Sequence, residues 1–245
     1  MQNNVICMKW GSKFGADYVN KLYSMVARNL SAPFKFVCFT DDSSGIRAEV
    51  ETRALPEMKL PSGAERGWRK LSTFKTDIGL EGRVLFLDLD IVIVGSIDRF
   101  FEIEGNFIIA REFGRRVGAH GRGNSSVYRF EAGTLGFVYE NFINDITAAK
   151  NSYRHEQAYL TDTLFKKNML KYWPEGWCVS FKHSCARPFP LCYFQTARIP
   201  EGAKIVIFHG KPTPEDAEAG ILKVNPVKRF FRHLRPVGWI GEYRR

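Results

Sequence analysis

The sequence predicts an α/β fold, a single domain with a mixed central sheet flanked by helices. An apolar strand, an amphipathic helix and a second apolar strand follow one another within about 40 residues, the opening of an α/β sheet. Further on, a strongly apolar run at 83–94 is interrupted only by acidic residues, and no linker divides the chain. A length of 245 residues alone allows one large domain or two small ones.

Val5–Trp10 reads as the first buried strand, ended by Gly11. Ala16–Leu30 then aligns Val19, Leu22, Tyr23, Val26 and Leu30 on one helical stripe. Pro33 closes that unit, and Phe34–Phe39 forms a second strand that runs into Thr40-Asp41-Asp42. Sheets of this kind bind ligands beyond the carboxyl ends of their strands, which makes Lys9, Trp10, Gly11 and Asp41 candidate contacts. Residues 54–67 carry two prolines and two glycines and read as a loop. The spacing predicts a helix over Gly67–Ile78, strands at Arg83–Leu87 and Ile91–Val94, and another at Asn106–Ala110. A glycine-rich loop, Gly114–Gly123, precedes a strand at Ser125–Phe130. Helices are expected at Gly136–Ala149 and Glu156–Lys166, and a last short strand at Lys204–Phe208.

A hydrophobic fraction of 44% with 14% aromatic residues excludes a disordered chain. The formal net charge is +10, a balance that favours an anionic partner. That charge is uneven. Residues 223–245 hold Lys223, Lys228, Arg229, Arg232, Arg235, Arg244 and Arg245 against Glu242, a net of +6, interleaved with Phe230, Phe231, Trp239 and Tyr243. The expected organisation is therefore a domain at 1–222 followed by a basic aromatic tail at 223–245. Two readings of the tail stand: a solvated basic helix with Phe231 and Leu234 tucked against the domain, or a surface that meets an anionic membrane. Nucleic acid is disfavoured as a partner, because no recognition motif accompanies the charge.

Met1–Asn4 lacks a positive start and no run of about 18–20 apolar residues occurs, so a cytoplasmic location is expected, with a peripheral place at the inner face of a membrane if the tail binds there. Five cysteines, an odd count, favour reduced thiols. Zinc at Cys178, His183, Cys185 and Cys192 is the alternative, though that spacing matches no common finger or ribbon.

The chemistry centres on Asp88-Leu89-Asp90. Two carboxylates break what is otherwise a buried strand, where unpaired charge is very costly. In an extended chain, side chains at i and i+2 point the same way, and two such carboxylates suit a hard divalent ion. The alternative is a pair of acids capping a strand end in water.

Phe86-Leu87-Asp88-Leu89-Asp90, followed by Gly95-Ser96-Ile97-Asp98-Arg99-Phe100-Phe101, resembles the DxD region of family-8 glycosyltransferases, the family of glycogenin and bacterial lipopolysaccharide galactosyltransferases. Lys70-Leu71, Asn124-Ser125-Ser126-Val127, Glu156-Gln157 and Phe208-His209-Gly210-Lys211-Pro212 resemble further segments of that family in the same order. Each match is short; their order gives them weight. The resemblance implies a GT-A, Rossmann-like fold over roughly residues 5–215, and transfer of a hexose, with retention, from a nucleotide-diphosphate sugar such as a UDP-sugar to a glycan or lipid-linked acceptor. It implies manganese, or magnesium in its place, on Asp88, Asp90 and His209. It also implies donor contacts from Lys70, Asp88, Leu89, Asp90, Gly210 and Lys211, beside those that the strand ends offer at Lys9, Trp10, Gly11 and Asp41, and catalytic roles for Asn124, Glu156 and Gln157. The chain departs from the family pattern at three points. His209 directly precedes its glycine, Glu156 stands where an aspartate is usual, and Ser126 replaces a glycine.

Two other functions remain open. Asp88-Leu89-Asp90-Ile91-Val92 fits the nucleophile motif of haloacid-dehalogenase-type phosphatases, though that motif normally sits on a chain's first strand. A non-catalytic basic surface-binding protein with a degenerate donor site is the other.

Overall fold

The computed structural model describes residues 2–61, 65–113, 122–225 and 230–245. Most of the expected glycine-rich loop, and Lys228 and Arg229 of the tail, lie outside the described residues.

The expected opening is present: β1 (Asn3–Lys9), α1 (Ala16–Asn29) and β2 (Phe34–Thr40). Val19, Leu22, Met25 and Val26 form the buried stripe of α1. Strands β3 (Glu51–Ala54), β4 (Arg83–Leu87), β6 (Phe107–Arg111), β7 (Gly123–Glu131) and β8 (Leu170–Tyr172) join them in a seven-stranded sheet of order β3-β2-β1-β4-β7-β6-β8. Strand β1 pairs in parallel with both β2 and β4, whereas β7 runs antiparallel to β4 and β6, so the sheet is mixed. The α/β reading with a mixed central sheet is borne out.

Alternate residues feed opposite faces of the sheet, as the twofold period of a strand requires. Val5, Cys7, Leu85 and Leu87 enter one core with α1, while Ile6, Met8, Val84 and Phe86 enter the other. The second core is rich in aromatics and is closed by α2 (Gly136–Asn144), α3 (Ile146–Ser152) and α4 (Glu156–Lys166). A smaller sheet of β5 (Ile91–Ile93), β10 (Ile205–Ile207) and β9 (Cys178–Ser180) extends the first core.

Several expectations change in detail. The segment expected as a helix over Gly67–Ile78 is a 3-10 helix, Trp68–Phe74. Its buried anchors Trp68, Leu71 and Phe74 recur every third residue, the period at which side chains eclipse in that geometry. The helix expected over Gly136–Ala149 breaks at Asp145, whose carboxylate accepts from the Ala148 amide (2.8 Å) and caps a new helix.

The chain's end also packs against the domain. Ala217 of α5 (Pro214–Glu218) and Ile240 of α6 (Trp239–Tyr243) join the first core, as do Leu234 and Val237 between the two helices. Of the tail's aromatics, Trp239 donates to the Ala197 carbonyl (3.0 Å), while Phe230 and Phe231 are exposed. No helix among the described residues is long and apolar enough to cross a membrane.

Candidate active site

The chain runs from β1 outward to β2 and β3, then returns to place β4 on the other side of β1. The crevice at the carboxyl ends of β1 and β4 is therefore a topological switch point, the usual ligand position in such sheets. A cavity of about 560 Å³ opens there. Trp10 after β1, Lys70 and Asp88, Leu89 and Asp90 after β4 line it. Asn124 of β7, Glu156 and Gln157 of α4, and His209 and Gly210 after β10 complete the set brought together from the sequence-identified residues.

Asp88 and Asp90 do not sit on an extended strand, so the same-side argument for strand positions fails as stated. They occupy the turn where the chain leaves β4 in the large sheet and enters β5 in the small one. Leu89 is buried at the centre of that turn, and both acids face the cavity. The Asp88 amide donates to the Ser126 carbonyl (2.9 Å), extending the β4–β7 ladder into the turn. The β6–β7 register breaks at the same level: Ile109 faces Tyr128, but Ala110 faces Asn124. This irregularity brings Asn124, Ser125 and Ser126 to the cavity wall, as bulges beside sites commonly do.

The Lys70 ammonium reaches both oxygens of Asp88 (2.7 and 2.9 Å) and the Ser125 carbonyl (3.3 Å). Burial works against that ammonium, but Asp88, Glu156 and Asp90 outweigh it and hold the Lys70 pKa above the ordinary value. Burial, and then the nearby charge of Asp88, push Asp90 up to about 6, with Lys13 and Lys70 pulling the other way. Burial also raises Glu156, against Lys70 and a hydrogen bond from the Ser125 hydroxyl to its carboxylate. Gly67, at φ +80°, packs against this carboxylate so closely that a Cβ there would lie 2.6 Å from Glu156 Oε2.

Other expected residues are placed differently. Lys9 is buried and donates to the Asp42 carbonyl (2.8 Å), and the Gly11 amide donates to Asp41 Oδ2 (2.9 Å). These bonds tie the ends of β1 and β2 together, and Lys9, Gly11 and Asp41 are not among the residues that line the cavity. Lys211 pairs with Asp216 (3.2 Å) and faces a second cleft. His209 shares a hydrogen bond between Nε2 and the Ser180 hydroxyl (2.8 Å), and its ring stacks between Phe113 and His183. Burial, with Lys182 and His183 nearby, lowers its pKa to about 4, so the imidazole is neutral.

Among the described residues no group of three His, Cys, Asp or Glu side chains is gathered as a ready metal site. The donor set nonetheless fits a hard divalent ion in part. Two neighbouring acids at one turn, one of them raised by burial and then by the charge of the other, suit a cation with oxygen ligands. His209 is not gathered with them, and its Nε2 is held by Ser180. Cys178, Cys185 and Cys192 are free thiols, and burial pushes Cys185 up to about 12.

Sequence reasoning missed Lys13, Phe14, Arg66, Glu112, Phe113 and His155 in the cavity wall. They come from loops that carry no periodic signal, except that His155 immediately precedes α4.

No protein-family model and no curated protein sequence matches the chain. Solved structures do. A galactosyltransferase, LgtC, determined with donor and acceptor sugar analogues, superposes with a TM-score of 0.59 at 11% identity, over 92% of this chain and 98% of that one. The glycosyltransferase GlyE of Streptococcus pneumoniae TIGR4 superposes with a TM-score of 0.58 at 16% identity, over 87% of this chain and 56% of that one. The chain therefore has the fold of these glycosyltransferases, with its acidic turn at the switch point of the sheet.

Proposed function

We propose that the protein is a metal-assisted glycosyltransferase that takes a hexose from a nucleotide-diphosphate sugar, a UDP-sugar first of all, and passes it with retention to a glycan or lipid-linked acceptor. One observation carries the reading: a single switch-point cavity gathers an acidic pair, a lysine and neutral amides from β4, β7, α4 and the 3-10 helix before β4. Asp88 and Asp90 would hold manganese or magnesium, with His209 as a third ligand after reorientation. Such an ion, when bound, neutralises charge on the departing diphosphate. Lys70 supplies a positive charge to the same phosphates. Asn124 and Gln157 offer amide donors and acceptors to sugar hydroxyls. Glu156, buried beside Lys70 and Ser125, sets the polarity under the sugar and positions Gln157 at the start of α4.

The fold likeness is to glycosyltransferases, which favours this reading over the phosphatase alternative. The membrane-facing reading of the tail draws support from an exposed aromatic cluster. Phe230 and Phe231 pack on each other (5.1 Å between centroids) and on Phe189 (5.7 and 5.4 Å), with Arg232 and Arg235 following them in sequence. Co-sedimentation with vesicles containing anionic lipid, and its loss in Phe230→Ser/Phe231→Ser, tests that partner.

A panel of nucleotide sugars incubated with the protein and manganese tests the activity itself. Hydrolysis of one UDP-sugar that depends on the metal is the expected result. No turnover of any donor, with the protein folded, would leave the non-catalytic surface-binding alternative standing.

A further inference from the structure

We infer that the second cleft receives the phosphoryl group of the acceptor, with an apolar part of that acceptor lying against the cleft's floor. This rests on the transferase reading and names the acceptor's chemistry. The cleft has a volume of about 830 Å³ and shares His209 with the first cavity, so a molecule seated in it extends toward the proposed donor site.

Its wall is cationic. Lys182, Arg187, Lys211 and Arg232 line it with His183 and His233, and among the described residues no aspartate or glutamate does. Lys211 is already answered by Asp216 (3.2 Å), whereas among the described residues Lys182 donates only to a neutral acceptor, the His209 carbonyl. Neither Arg187 nor Arg232 belongs to an ion pair among the described residues. Arg187 Nε is buried without a hydrogen-bond partner. A buried donor left unmatched is costly, and a guanidinium at the cleft wall with that donor unused has capacity for an anionic oxygen. Guanidinium forks match phosphate oxygens geometrically, and a phosphate monoester brings up to two negative charges to a wall of several cations.

The floor is apolar. Phe181 and Leu234 are buried there, with half-buried Leu222 and Val224 and the exposed ring of Phe231 at the rim. A free inorganic ion makes no use of such a floor; a phosphorylated molecule with an apolar portion does.

The experiment is calorimetric titration of the full chain, with and without UDP and manganese, using dodecyl phosphate, dodecanoate and dodecyl maltoside below micelle formation, and glucose 6-phosphate. Dodecyl phosphate should bind at least about tenfold more tightly than either other amphiphile, the factor expected from one charge-assisted hydrogen bond. Arg187→Gln/Arg232→Gln should lose about that factor while UDP affinity stays unchanged. Arg232→Gln alone, at an exposed position, should lose part of it and guards against a folding defect in the double variant. If glucose 6-phosphate also binds and depends on the two arginines, the phosphate belongs to the glycan; if only the alkyl phosphate does, it belongs to a lipid. Equal binding of dodecanoate or dodecyl maltoside, or undiminished dodecyl phosphate binding in both variants, overturns the inference. Absence of UDP binding counts against the transferase reading alone, because the alkyl-phosphate comparison still decides the cleft.

Discussion

Lys70 is the cation paired with Asp88 in the first cavity, and its removal should be felt first as lost stability. In Lys70→Met the apolar part of the side chain is kept and the ammonium is lost. The Asp88 carboxylate, whose side chain is 23% exposed, then lacks its partner at 2.7 Å, and Glu156 and Asp90 lose a nearby positive charge. Breaking a buried pair from one side costs about 3–5 kcal/mol, and partial exposure of Asp88 places this case near the lower figure, about 3 kcal/mol. For a chain of this size that lowers the melting temperature by about 6–12 °C. The deficit should also shrink on acidification. Asp90 and Glu156, both raised by burial, lose the lysine that pulls them down, so in the variant their folded carboxylates take up protons still more readily and the folded state gains stability relative to the unfolded one as pH falls. Thermal denaturation followed by circular dichroism near pH 7 and about pH 5 reads both effects. A loss below about 1 kcal/mol near neutrality, or a deficit that grows on acidification, would refute the reasoning.

Other substitutions probe the site's supports. Gly67→Ala places a side chain in left-handed backbone at φ +80° and against Glu156 Oε2. It should cost about 1–2 kcal/mol in stability and cut donor turnover by as much as about 100-fold through displacement of α4's first residues, checked by denaturant midpoints and single-donor kinetics. Glu156→Gln removes a carboxylate whose pKa burial raises, so near neutral pH it should melt at or above the parent temperature; because the parent loses stability as Glu156 ionises, the two curves should approach each other as the solution is acidified. A clear drop in melting temperature near pH 7 would count against that burial penalty. Asp216 closes a capping box with Thr213 and is held down to about 2, burial opposing and Lys223 and Lys211 prevailing. Its contribution is present above the ordinary carboxylate range and is lost as pH falls through about 2, so Asp216→Asn should cost about 1 kcal/mol at neutrality and nothing in strong acid, the exposed lysines limiting the figure by screening.

Much of this architecture was legible because it rests on periodicity. The apolar strands of β1, β2 and β4 and the stripe of α1 reveal themselves by their spacing, and Glu156–Lys166 is helical over the range read from the sequence. Strand β3, Glu-Thr-Arg-Ala, was not legible: it is a charged edge strand with no apolar face, held by pairing to β2. The three-residue strands β8 and β9 are too short to show a period. Asp88 and Asp90 stood out as charges in an apolar run, yet their geometry did not follow from strand alternation. The chain changes sheets between them, and that depends on β10, more than a hundred residues later, pairing with β5. Likewise, nothing local shows that Lys211 turns to Asp216 or that Lys9 closes on Asp42, since both contacts are decided by tertiary packing.

The central claim is that Asp88 and Asp90 hold the cation that recruits a nucleotide diphosphate. Calorimetric titration of UDP with manganese present and absent, on the parent chain, Asp88→Asn and Asp90→Asn, tests it most directly. Manganese-dependent UDP binding by the parent that is lost in both variants, with their far-ultraviolet dichroism unchanged, is the predicted result. UDP affinity that is the same with and without manganese, or the same in all three proteins, would contradict it.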